Sequence, residues 1–219
     1  MMLSIGNILD SAALTELRAA LDALTFVDGR ATAGWSAAEV KRNRQAAPSA
    51  ALRALQEQIV KAIRDNAVFQ IAARPKIFTP PLFARYGTGE TYGAHVDDAI
   101  MGGTRTDIAY TLFLQEPQDY DGGELVIEST SGEQAVKLPA GAVFLYPATT
   151  LHRVAPVTRG ERLVAVGWIR SLIRSAGQRE LLFDLDTARR ALFAREGKSA
   201  EFDLISKSLS NLLRMWAED

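Results

Sequence analysis

Between about residues 76 and 170 the chain abandons helical spacing for short alternating runs, each closed by turn residues. The runs fall at 76–86, 106–115, 124–128, 134–138, 142–146, 151–157 and 162–170. Between them stand Asp121-Gly122-Gly123, Ser131-Gly132, Pro139-Ala140-Gly141 and Thr158-Arg159-Gly160. Side chains on a strand alternate between two faces, so each run offers one apolar face that needs a facing layer. No helical stretch intervenes to carry a parallel crossover. The pattern therefore predicts an antiparallel sandwich or barrel.

Helices flank this block. Asp10-Ser11 offers a cap for a helix with Leu14, Leu17, Leu21 and Leu24 on one face, and Ser49 caps a second with Leu52, Leu55, Ile59 and Ile63. A polar, Gly-containing loop is expected between them, from Val27 to Asn43. Beyond the strands, Leu181, Leu182, Leu185, Ala188 and Leu192 form one stripe. Phe202, Ile205, Leu209, Leu212, Leu213 and Trp216 form another, with Gly197 as a stop. The expected fold class is mainly β with flanking helices (α+β). Residues 1–75 form an N-terminal helical support, 76–176 the core, and 177–219 a C-terminal helical appendage. The last stripes must be covered, either by the same chain or by a second copy in a homo-oligomer.

Composition narrows the chemistry. The 25 Lys+Arg balance 26 Asp+Glu, which argues against a nucleic-acid partner. No apolar run approaches the roughly 20 residues of a membrane span. The first residues lack the basic start and apolar stretch of a secretion signal, so a cytoplasmic setting is expected. With no cysteine, thiolate catalysis and disulfides are excluded. Any imidazole chemistry falls to the chain's two histidines, His95 and His152.

His95-Val96-Asp97 places an imidazole and a carboxylate on one side of an extended chain. These are two thirds of the two-histidine, one-carboxylate triad that holds non-heme Fe(II). His152, at the start of an expected strand, is the one remaining imidazole. Three protein ligands leave metal positions that a 2-oxo acid can chelate, and its far carboxylate then needs a buried cation. Arg162 suits that task. It shares a strand face with Val164, Val166 and Trp168, and its planar fork matches a carboxylate. A turn at Arg159-Gly160 is expected to fold its strand against the one beginning at His152. Taken singly, each piece has a plainer explanation: a surface histidine near an aspartate, or an arginine in a rim salt bridge.

Taken together, the pattern resembles the 2-oxoglutarate/Fe(II) dioxygenases of the prolyl-4-hydroxylase superfamily, and more narrowly the bacterial PKHD-type hydroxylases. The resemblance runs through Pro80-Pro81-Leu82-Phe83-Ala84-Arg85-Tyr86, the H-x-D segment and Arg105–Leu114. It continues through Gly122-Gly123-Glu124-Leu125, Leu138-Pro139-Ala140-Gly141, and His152 to Arg162. Trp35 and Val40-Lys41-Arg42-Asn43-Arg44-Gln45 are similar to the narrower group. The resemblance implies a double-stranded β-helix (jelly-roll). It implies Fe(II) on His95, Asp97 and His152, 2-oxoglutarate on Arg162, O2 as oxidant and L-ascorbate as a helper reductant. Tyr86 is a second candidate contact to the co-substrate. Asp98, Met101 and Arg105 flank the H-x-D motif and are candidates to meet substrate. Asp97 matters within the class, because halogenating relatives lack this carboxylate. The expected activity is hydroxylation of an unidentified small-molecule, peptide or protein substrate, coupled to decarboxylation of 2-oxoglutarate to succinate. The rivals are a non-catalytic jelly-roll module that keeps a metal or ligand, and a cupin-like iron enzyme that does not use 2-oxoglutarate.

Overall fold

A computed structural model describes residues 1–218. Two antiparallel sheets face one another. In the larger, the strand order is Leu3–Ile5, Val143–Pro147, Ile108–Phe113, Arg162–Ser171, Leu82–Tyr86, Arg44–Ala46 and Phe26–Asp28, with Pro75–Phe78 also paired to Arg162–Ser171. In the smaller, the order is Gly132–Val136, Leu125–Ser129, His152–Val154, Thr91–His95 and Lys41–Arg42. This is the jelly-roll layering, with every strand pair antiparallel.

The central strand Ile108–Phe113 shows how sequence sets the layers. All six of its residues are buried. Ile108, Tyr110 and Leu112 face the helices, while Ala109 and Phe113 face the opposing sheet. A strand covered on both faces reads as a continuous apolar run. The helix side is closed by α1 (Ser11–Asp22), α2 (Ala50–Asp65) and α3 (Ala67–Ala73), whose Leu17, Leu21, Ile59, Ile63 and Phe69 are almost fully buried there. The expected caps form: Asp10 accepts from the Ala13 N–H at 2.8 Å and Ser49 from the Leu52 N–H at 3.0 Å.

The stretch expected as a polar loop departs from that expectation. Phe26–Asp28 and Lys41–Arg42 within it are strands, joined to the sheets through Arg44–Ala46 and Thr91–His95. Lys41, Asn43 and Gln45 turn inward and are each 4% exposed, while Arg42 lies outside. An alternation of buried and exposed polar groups carries no hydropathy signal.

The C-terminal hairpin of α4 (Ala176–Glu196) and α5 (Ala200–Trp216) docks on its own chain. Leu182 and Leu209 pack with Ile173, and Leu185, Leu212, Leu213 and Trp216 border them. Leu181, in contrast, is 47% exposed. The docking also uses charge, since buried Asp186 meets Arg74 at 3.1 Å and Arg189 at 2.5 Å. Glu218 returns to Arg105 at 2.9 Å.

Candidate active site

His95 ends the strand Thr91–His95, Asp97 follows in the loop, and His152 opens the next strand of the same sheet, paired in register with His95. One ligand atom from each of the three residues lies within 4.8 Å of the others. His152 Nε2 stands 3.9 Å from Asp97 Oδ1, too far for a hydrogen bond and close enough for both to be drawn onto one cation.

Backbone carbonyls orient both imidazoles. His95 Nδ1 lies 2.8 Å from the Gly93 carbonyl and His152 Nδ1 lies 3.0 Å from that of Thr150. A carbonyl only accepts, so each Nδ1 carries a proton, which leaves Nε2 as the ring atom turned toward the other ligands. Burial, reinforced by His152, pushes the His95 pKa down to about 3, so this ring stays neutral and able to ligate. Tyr92 stacks on it at 3.6 Å between centroids. Burial pushes the Asp97 carboxyl upward, and its Oδ2 has no hydrogen-bond partner. The Trp168 indole N–H favours the charged form of Asp97, although it falls short of hydrogen-bond geometry. Two imidazoles and an unsatisfied carboxylate form a donor set that fits a divalent iron ion.

Arg162 enters the same cavity from the opposite sheet. The expected hairpin with the His152 strand is not formed. His152–Val154 pairs with Leu125–Ser129 and Thr91–His95, whereas Arg162 pairs with Tyr86. The chain crosses between sheets through Val157–Arg159, which pairs with Asp121–Gly122. Arg162 therefore reaches the site across the sandwich and not from an adjacent strand.

Arg162 is 1% exposed, and its Nε and Nη1 have no hydrogen-bond partner. Its guanidinium lies 5.0 Å from the centre of the Tyr86 ring and 5.7 Å from that of Phe113. Gly123, with φ of 68°, makes room for it: a Cβ there would sit 3.1 Å from Arg162 Cδ. Gly122, with φ of 70°, is needed for a different reason: a Cβ there would sit 2.1 Å from the Pro156 carbonyl oxygen. Tyr86 is buried beside Arg162, which offsets part of the rise that burial imposes on its hydroxyl.

The triad, Arg162 and Tyr86 share one cavity. Asp98 and Met101 also line it. Arg105 does not appear in its wall: it is held by Asp107 at 2.8 Å and by Glu218, because two carboxylates outside the cavity capture its fork. Lys41, Asn43 and Gln45, to which the sequence alone gives no role, also line the wall. Their one signal was the polar segment resembling the narrower family.

Two facing antiparallel sheets around two imidazoles, a carboxylate and an unpaired guanidinium suit an iron- and 2-oxo-acid-dependent oxygenase. Comparison agrees, for residues 81–170 match the 2OG-Fe(II) oxygenase superfamily and residues 177–218 match the PKHD-type hydroxylase C-terminal domain. A PKHD-type hydroxylase of Picosynechococcus is 54% identical over 221 residues, covering 100% of both chains. One of Synechococcus elongatus is 52% identical over 223 residues, again covering both chains completely. The chain belongs to the PKHD-type hydroxylases. Among solved structures, a Pseudomonas putida prolyl-4-hydroxylase is similar with a TM-score of 0.55 at 24% identity, covering 78% of this chain and 92% of that one. HygX of Streptomyces hygroscopicus, with nickel and 2-oxoglutarate bound, has a TM-score of 0.56 at 15% identity, covering 78% and 84%. Both likenesses concern the fold. No helix among the described residues is long and apolar enough to cross a membrane.

Proposed function

We propose that His95, Asp97 and His152 hold Fe(II), that Arg162 with Tyr86 beside it holds 2-oxoglutarate, and that the cavity hydroxylates a substrate entering beside them. The observation that carries this reading is the unpaired guanidinium of Arg162. A buried cation with free donors is costly, and a dianionic co-substrate satisfies it.

Arg162 receives the far carboxylate on its fork, while the Tyr86 and Phe113 rings hold the guanidinium plane and keep water from it. The Gly93 and Thr150 carbonyls keep both Nε2 atoms turned inward. Asp97 supplies an anionic ligand at the position a halide would need, which favours hydroxylation over halogenation. When bound, Fe(II) supplies O2 activation coupled to oxidative decarboxylation of 2-oxoglutarate to succinate. We assign ascorbate as the reductant for iron oxidised without substrate, on the family resemblance, and a cytoplasmic setting to a cysteine-free chain that must keep iron reduced.

The test is anaerobic Fe(II) plus 2-oxoglutarate. A weak metal-to-ligand charge-transfer band is expected from the wild type, absent in His152→Ala and formed only at higher 2-oxoglutarate in Arg162→Ala. An unchanged band and affinity in Arg162→Ala would refute the assignment.

A further inference from the structure

The cavity wall holds a second buried cation that the reading above leaves without a task. Lys41 lies on the edge strand of the smaller sheet, in register with Tyr92, whereas Arg162 lies on the larger sheet. Its ammonium is 4.9 Å from the centre of the Tyr92 ring, and that ring stacks on His95. The two cations thus stand on opposite sheets of the same cavity.

Lys41 has one hydrogen-bond partner, the Thr32 hydroxyl at 2.9 Å, and that hydroxyl is itself 2.6 Å from Gln45 Oε1. No carboxylate among the described residues comes within ion-pair distance of its ammonium. An ammonium has three donors, so two remain available where Lys41 lines the cavity. The neighbouring outward residue makes the contrast. Arg44, one step off the inward-facing row, reaches Glu90 at 3.3 Å and Glu161 at 3.1 Å. The outward cation is paired and the inward one is not.

Asn43 adds an independent observation. It is 4% exposed; its Oδ1 packs against Gly29, where a Cβ would meet it at 1.9 Å, and the amide lies near the Tyr86 hydroxyl, with neither end in hydrogen-bond geometry. A buried amide short of full hydrogen bonding costs stability unless a ligand completes it. Lys41 and Asn43 therefore present, along one row of the wall, a cation and a donor–acceptor pair.

Resting on the assignment of this cavity as the oxygenase site, we propose that Lys41 is a specificity-determining residue that binds a carboxylate of the substrate to be hydroxylated, with Asn43 bonding an amide beside that carboxylate. The substrate class is a carboxylate-bearing amide, as at the acid end of an N-acylated amino acid. Arg162 stays with the co-substrate, so the two acids are sorted by sheet. The depression of the Lys41 ammonium to about 8 by burial agrees with a site awaiting an anion.

The experiment uses the anaerobic Fe(II)–2-oxoglutarate holoenzyme, whose charge-transfer band reports the parent reading by itself. N-acetylated amino acids and their primary amides are titrated as probes up to tens of millimolar, following the shift of the band. The free acids are expected to bind about tenfold or more tightly than the amides, since the amide forfeits the charge-assisted pair. Lys41→Met is expected to erase that preference while keeping the band, and Lys41→Arg to keep both. Asn43→Ala is expected to weaken acid and amide alike. Equal binding of acid and amide by the wild type, absence of any acid binding, or an undiminished preference in Lys41→Met would overturn the proposal. Failure of the band in the wild type would instead overturn the parent reading.

Discussion

Arg162→Met offers a test in which stability and binding are expected to move in opposite directions. In the protein without co-substrate, a guanidinium 1% exposed has two nitrogens unbonded. Methionine keeps most of the side chain's length against Tyr86 and Phe113 and removes the charge. Replacing buried ionic groups by apolar ones of similar volume is neutral or stabilising by about 1–4 kcal/mol. Here no partner carboxylate is left stranded by the change, so the gain is expected at the favourable end. For a chain of this size 1 kcal/mol moves the midpoint by about 2–4 °C, so a gain near 2 kcal/mol appears as about 4–8 °C. Co-substrate reverses the ranking. In the wild type, 2-oxoglutarate at a hundred times its Kd adds about 2.7 kcal/mol. In the variant this increment is expected to vanish. The assay is thermal unfolding of both proteins, metal-free and then anaerobically with Fe(II), with and without 2-oxoglutarate. A metal-free variant less stable than the wild type, still protected by 2-oxoglutarate, would refute the reasoning that Arg162 is an anion site kept at a cost to the fold.

Removing a ligand by His95→Ala, Asp97→Ala or His152→Ala is expected to abolish iron-dependent turnover of 2-oxoglutarate with the far-ultraviolet circular dichroism unchanged, checked by both measurements on each variant. The His95 contribution to the stability of the metal-free protein should fall on acidification. His95 titrates near 6.5 when unfolded and about 3 when folded, so between these values the unfolded state binds more protons. Stability therefore falls as pH drops through that window, by at most about 1.4 kcal/mol per unit from this group, as read by denaturant titration at pH 7.5 and 5.5. Asp186→Ala strands Arg74 and should cost about 3–5 kcal/mol, with faster hydrogen exchange across α4 than across α2. Leu181, Phe193, Leu204 and Met215 remain exposed on the C-terminal hairpin, and we expect them to pair two copies, checked by sedimentation across a concentration range.

The triad was legible because metal chemistry admits few donor types and the chain owns only two imidazoles. His95 and His152 had to serve together or not at all. The strands were legible where burial is apolar, as in Ile108–Phe113. Arg162 shows where that reasoning stops. Its place in the cavity was foreseen, but its route there was not, because Thr158-Arg159-Gly160 has the chemistry of a hairpin turn as much as of a crossing between layers. The edge strand escaped notice for a different reason. Hydropathy reports alternation only when the buried face is apolar, and in Lys41-Arg42-Asn43-Arg44-Gln45 both faces are polar. Burying such a face costs free energy that a hydrophobic core does not return. Where a fold nevertheless keeps a cation and an unbonded amide inward, as it does at Lys41 and Asn43, the missing partners point to a molecule the chain was shaped to receive.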